Sequence, residues 1–180
     1  NQNFESLLNW AKDNLWIKKK QVNFKDNALS FYKDKTLLRI EKFLDKHNLS
    51  DSVDCINGIN VPKIYDLISE VDFNSIIGKT STGFHGDFIL DNILTTSDSF
   101  TLIDWRQDFN GVIESGDMNY DLAKLNHNLI LNHEMLYHNY FQIDFSTDIR
   151  CDVYVKKSLI DCKNILRKFC LENKIDFNSI

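Results

Sequence analysis

The sequence predicts a mainly α-helical domain, α+β in class, with one small β-hairpin near its middle. Three observations point there. Apolar residues recur near a period of 3.6 through most of the chain. That periodicity lapses between Gly83 and Trp105, where short apolar pieces are split by a Thr/Ser/Asp turn. Of the 180 residues, 43% are hydrophobic and 26% charged, enough to bury one core of ordinary domain size.

The elements follow in order. Phe4, Leu7, Leu8, Ala11, Leu15 and Trp16 predict an amphipathic helix over 4–20, with Lys18-Lys19-Lys20 suited to its C-terminus. A second helix spans about 27–46, its stripe being Leu29, Tyr32, Leu37, Ile40, Phe43 and Leu44. Asn57-Gly58 marks a turn. A short helix covers about 63–71, with Pro62 near its start, where a missing N–H costs little. Phe88-Ile89-Leu90, Ile93-Leu94 and Phe100-Thr101-Leu102-Ile103 read as a loop and hairpin turning at Thr95–Ser99. Helical patterning returns over about 117–139 through Leu122, Leu125, Leu129 and Leu136. The segment 141–154 is ambiguous. A last helix covers about 155–173, with Leu159, Ile160, Ile165, Leu166 and Phe169 as its stripe. No repeat, low-complexity tract or linker divides the chain.

Composition excludes several classes. A net charge of −5 gives no overall attraction to nucleic acid or anionic membrane. No apolar run reaches the ~18 residues of a spanning helix, and Asn1–Glu5 lacks the basic and apolar regions of a signal peptide. The four cysteines, Cys55, Cys151, Cys162 and Cys170, fit no zinc spacing and read as reduced thiols of a cytoplasmic protein. Gly78-Lys79-Thr80 imitates the end of a P-loop, but position 73 is Phe73 where that motif needs glycine. His133-Glu134 with His138 is one residue too long for a zinc-protease helix, which swings His138 by ~100°. The run at Lys18–Lys20 is isolated and reads as a solvated helix end.

The informative stretch is His85-Gly86-Asp87-Phe88-Ile89-Leu90-Asp91-Asn92, followed by Ile103-Asp104-Trp105. Phosphoryl transfer needs divalent metal held against phosphates and a carboxylate that positions the attacking hydroxyl. Asp87 and Asn92, five apart on one loop, can face a common centre. Asn92 offers Mg²⁺ a neutral oxygen, and Asp104, returned by the hairpin, an anionic one. Asp87 can accept the proton of a substrate alcohol.

His85-Gly86-Asp87-x4-Asn92 resembles the catalytic loop of the aminoglycoside phosphotransferase and choline kinase group, relatives of the protein kinases. Ile103-Asp104-Trp105 resembles that group's metal-binding strand end. Gly116-Asp117-x-x-Tyr120-Asp121-Leu122-Ala123 resembles the segment that follows, and the three motifs stand in the family's order. The resemblance covers about residues 80–126. It implies the helical C-terminal lobe of a protein kinase-like fold, with the catalytic loop in 83–105 and ATP and Mg²⁺ as cofactors. Asp87 is then the catalytic base, Asn92 and Asp104 the metal ligands, and His85, Asn92 and Asp104 the cofactor-binding set. His85 and Gly86 shape the loop, Asp121 braces it, and Asp117 caps a helix or braces a loop. Arg106 has two readings of equal weight, a contact to phosphate or substrate and a surface salt bridge. Asp91 reads as solvated.

Such a kinase also carries an N-terminal lobe with a loop over the phosphates and a strand lysine. No glycine precedes Gly58, and the residues before the loop read as helices. With no initiator Met, the expectation is the C-terminal lobe of a longer protein, the other lobe being supplied in cis or by a partner. The resemblance implies a phosphotransferase acting on a hydroxyl of a small molecule (an amino alcohol, sugar or aminoglycoside-like compound), with no nucleic-acid or membrane partner. Two alternatives stand beside it: an inactive pseudokinase-like scaffold, and the kinase part of a multifunctional surface-polysaccharide enzyme. Candidates for the acceptor pocket lie in 107–115 and 10–16.

Overall fold

The structure is a computed structural model that describes residues 2–97, 99–145 and 149–180. It is an α+β fold of helices and small antiparallel sheets. The order is α1 (Gln2–Asn14), α2 (Phe24–His47), β1 (Asp54–Ile56), β2 (Ile59–Val61), α3 (Ile64–Ser69), β3 (Ile93–Thr95), β4 (Phe100–Leu102), α4 (Met118–Asn128), α5 (His133–Tyr137), β5 (Phe141–Asp144), β6 (Arg150–Val153) and α6 (Lys157–Glu172). Each strand pairs with its sequence neighbour in a two-stranded antiparallel sheet: β1 with β2, β3 with β4, β5 with β6. No helix among the described residues is long and apolar enough to cross a membrane.

Two apolar clusters hold these pieces. The larger joins Phe4, Leu7, Leu8 and Ala11 of α1 to Leu122 and Leu125 of α4 and Leu166, Phe169 and Cys170 of α6. The second gathers Phe24, Ala28 and Phe31 of α2 with Phe84 and Phe109. Phe31 and Phe109 lie 4.3 Å apart between ring centroids, and Tyr120 meets Phe31 edge-on at 5.1 Å. Phe88, fully buried, belongs to the first cluster, and Phe84, two residues before Gly86, to the second. The segment 84–88 is thus tied into both cores, and burying two phenylalanines gives the backbone between them little freedom to shift.

Several helix boundaries differ from the sequence pattern, each for a local reason. The first helix ends at Asn14, not Lys20. Leu15 and Trp16 both donate their N–H to the Ala11 carbonyl, and the chain then runs extended beside 81–83, with Lys19 N–H to Ser81 O at 2.9 Å and Gly83 N–H to Ile17 O at 2.9 Å. The second helix stands close to where it was expected, but Phe24, Ala28 and Phe31 carry its buried face, while Phe43 is exposed. A single helix over 117–139 is corrected to two. Asn132 sits in extended backbone and its side chain accepts from Met135 N–H, which starts α5 afresh. On α6 the buried face is Leu166, Phe169 and Cys170, and Ile160 is exposed.

Two hairpins come out of segments that periodicity left unassigned. Asn57 and Gly58 both take positive φ (52° and 76°), the backbone of a two-residue turn whose twist matches the flanking strands. Asn57 also bonds Cys151 in both directions, side-chain amide to carbonyl and N–H to Oδ1, each at 2.8 Å. This stitches the first hairpin to β6. The ambiguous 141–154 segment is the β5–β6 hairpin, its residues 146–148 lying outside the described ones. The turn joining β3 to β4 is closed by Thr96, whose hydroxyl donates to Ser99 O at 2.8 Å, with Asp98 outside the described residues. The four cysteines are free thiols.

Candidate active site

The loop 85–92 hangs from one face of α4. Asp121, Lys124 and Asn128 stand at i, i+3 and i+7, a single stripe of that helix. Asp121 is fully buried. Its Oδ2 accepts from His85 N–H at 2.8 Å and Trp16 Nε1–H at 2.9 Å, and its Oδ1 from Gly86 N–H at 2.7 Å. Burial raises its carboxyl from 3.8 to about 6, against the pull of those three donors; the neighbouring Asp117 charge raises it further. Asn128 accepts from Leu90 N–H at 3.0 Å through Oδ1. The brace predicted for Asp121 is therefore present, with Trp16 as a partner the motif did not announce.

Asp117 fills both roles expected of it. It caps α4 by accepting from Asn119 N–H at 2.9 Å, and its Oδ2 accepts from Gly78 N–H and Tyr32 OH, each at 2.9 Å. Burial raises this carboxyl, and burial together with the Asp117 charge pushes the Tyr32 phenol well above its ordinary value. Gly78 is accounted for by this contact: a Cβ there would overlap the Asp117 carboxylate. The glycine of Gly78-Lys79-Thr80 serves Asp117, not a phosphate cradle.

His85 is fully buried beneath the loop. Its Nδ1 accepts from Asp87 N–H at 3.2 Å, so Nε2 carries the proton and donates to Ile103 O at 2.8 Å. Desolvation lowers the imidazole's pKa, with the Ile103 carbonyl and the nearby carboxylates acting in the opposite sense. Both nitrogens are spent on main chain, and these are loop-shaping contacts. His85 bolts the loop that carries Asp87 to the residue before Asp104. Gly86 has φ of +84°, and a Cβ there would overlap Cβ of Arg106 and reach its Cδ at 2.8 Å. Only glycine suits that backbone.

Asp87 and Asn92 meet directly, and Asp104 follows the residue that pairs with Asn92. Asn92 is 7% exposed, and its Nδ2 donates to Asp87 O at 3.0 Å and Asp87 Oδ2 at 3.2 Å. With its amide nitrogen so used, Oδ1 is the atom left to serve as a ligand. Ile103 N–H donates to Asn92 O at 3.0 Å, one step past the β3–β4 ladder, and this pairing carries Asp104 back beside Asn92. Asp104 is exposed and has φ of +56°, an uncommon conformation for a residue with a side chain. An amide oxygen and a carboxylate are the hard donors Mg²⁺ takes. That ion is commonly held by one or two protein groups plus substrate phosphates. No cluster of three His, Cys, Asp or Glu suited to a metal occurs among the described residues.

The motifs did not mark Lys124. Its Nζ lies 2.7 Å from Asp87 Oδ1, both side chains being about one third exposed or more. Its signal was present in the spacing, three residues after Asp121 on a helix face already assigned to the loop. Arg106 makes no ion pair among the described residues. Its Nε donates to Asp108 O at 2.9 Å and its guanidinium lies over Phe31 at 5.1 Å. Asp91 is exposed, with His133 Nδ1 at 3.5 Å. Of the pocket candidates, 10–16 is largely core: Trp16 is buried on Asp121, and Trp10 packs 5.7 Å from Phe100. Within 107–115, Phe109 is fully buried and Ser115 nearly so, leaving Asn110–Glu114 toward solvent. Glu134 pairs with Lys156, not with a metal.

No family model, no curated protein and no solved structure matches this chain. The class of molecule rests on the architecture: an α+β fold whose buried acids hold a loop of polar residues at the surface.

Proposed function

We propose that this chain is the C-terminal lobe of a kinase-like, ATP- and Mg²⁺-dependent phosphotransferase acting on a hydroxyl of a small molecule. One observation carries the reading. Asn92 Nδ2 bonds Asp87, and the Ile103–Asn92 backbone pairing brings the residue before Asp104 to the same loop, whose His85 and Gly86 N–H groups are held by the fully buried Asp121. A buried acid held in that place costs stability, and a precisely aimed loop is what that cost obtains.

In this reading the substrate hydroxyl approaches Asp87, which accepts its proton as the oxygen attacks the terminal phosphorus of ATP, the bond to the bridging oxygen breaks and ADP leaves. Asn92 Nδ2 fixes the Asp87 carboxylate, so that its proton-accepting oxygen keeps one orientation. Lys124 balances its charge. His85 and Asp121 keep the loop from moving when the substrate arrives. Asn92 Oδ1 and Asp104 would hold Mg²⁺, which when bound neutralises charge on the phosphates. A covering element for the phosphates comes from residues beyond this sequence or from a partner.

The test is calorimetric titration with ATP, with and without Mg²⁺. Metal-dependent binding that is lost in Asp104→Ala is the expected result, and unchanged Mg·ATP affinity in that variant removes Asp104 as a ligand. Asp87→Asn is expected to abolish phosphate transfer while leaving the fold intact, and full turnover in it removes Asp87 as base. A scaffold without turnover is the second reading. It is favoured by the ion pair with Lys124, which engages the base; phosphate transfer by the protein decides between the two.

A further inference from the structure

The run Lys18-Lys19-Lys20 is not isolated, as its place in the sequence suggests. The extended segment after α1 lies against 81–83, with Lys18 bridged to Thr82 and Ser81 Oγ donating to Lys19 O at 2.8 Å. Residues 79–81 thereby face the lysine run, and the start of α2 closes the third side. Lys18, Lys19, Lys20, Lys25 and Lys79 line one open depression of about 670 Å³. All five are exposed, and none pairs with a carboxylate among the described residues. Asp26 is the only acid in the lining. In a chain with 21 basic and 26 acidic residues, this hollow reverses the overall balance. Gln21 adds a second signal in the same wall. Its Oε1 accepts from Ser115 at 3.0 Å, while its buried Nε2 has no acceptor.

Five ammonium groups around one hollow repel one another, and a multivalent anion relieves that repulsion. The hollow has the size of small-molecule sites, ~300–1,000 Å³. Its only aromatic residue, Phe24, is buried, so no ring is offered for stacking bases, and no arginine lines it. No residue of 85–104 takes part. We infer that this depression binds a free small molecule carrying several phosphates, at a site separate from the catalytic loop and independent of the phosphotransferase reading.

The test is calorimetric titration of the 180-residue chain with inorganic tripolyphosphate at low salt and without divalent metal. One-to-one binding is expected, weakening as salt is raised. In Lys19→Gln/Lys25→Gln/Lys79→Gln the affinity is expected to fall at least about tenfold. It is expected to hold in the control Lys33→Gln/Lys42→Gln/Lys46→Gln. The substituted side chains are exposed and unpaired, and unchanged thermal unfolding verifies the fold of each variant. No binding by the folded chain at millimolar tripolyphosphate overturns the inference, as does an equal loss in the control triple. A single-stranded oligonucleotide or a phosphoinositide-bearing vesicle that binds where tripolyphosphate does not replaces the small molecule with a polyanionic surface.

Discussion

Asp121→Asn exchanges one oxygen of the loop's brace for an NH₂ group and leaves the shape alone. The wild-type carboxyl is raised from 3.8 to about 6 by burial. Between those values the folded chain holds a proton that the unfolded chain has released. The group's contribution to stability is therefore complete below about pH 3.8 and is lost as pH rises through about 6. From pH 7 down to pH 4 this one residue adds about 2 kcal/mol. Asparagine does not titrate and adds nothing. At pH 7 the substitution removes the burial cost of a charge, about 3 kcal/mol. It also sets an amide NH₂ against a peptide N–H of His85 or Gly86, which costs about 1–3 kcal/mol. These largely offset, so the variant is expected to match or slightly exceed wild type at pH 7 and to fall behind it by pH 4. The assay is urea unfolding followed by tryptophan fluorescence at several pH values. The difference between the two proteins should change by about 2 kcal/mol across that range. Parallel stability curves would refute the buried, proton-binding brace.

The remaining expectations concern neighbouring parts of the molecule. Gly86→Ala forces a side chain into a left-handed backbone and onto Arg106, and is expected to lower stability by at least ~1–2 kcal/mol in thermal unfolding; a neutral result removes the close approach. Lys124→Ala breaks a partly exposed pair and should change stability by less than about 1 kcal/mol, read from urea midpoints; a larger loss makes Lys124 structural. Leu8→Ala empties a fully buried position between helices and should cost about 2–5 kcal/mol in the same assay.

The elements that were legible in the sequence are those whose signal is local. The β3–β4 hairpin was legible because turn residues separate two apolar pieces, and the cap at Asp117 because an acid precedes an apolar helical pattern. The meeting of Asp87 and Asn92 follows from their spacing on one loop. Misreadings arose where periodicity competed with long-range pairing. Lys18–Lys20 continues a helical pattern, yet its backbone finds partners in 81–83, sixty residues on. Leucines at helical spacing run on through 117–139, but Asn132 interrupts the ladder with its own side chain. The stripe chosen on α2 missed Phe24, Ala28 and Phe31 because their burial depends on Phe84 and Phe109 being delivered from elsewhere.

Residue order was sufficient for which side chains stand five apart on one loop, where helices cap and where turns fall, because these depend on neighbours within a few positions. It was silent on what restrains them. Trp16 meeting Asp121 across 105 residues, Tyr32 meeting Asp117 across 85, and Lys25 and Lys79 joining Lys18–Lys20 around one hollow are consequences of packing. Burial raises the two acids, while the exposed lysines gather around the hollow with no carboxylate partner among the described residues. Such effects depend on distance through space and on exclusion of water, and neither is a property of position along the chain.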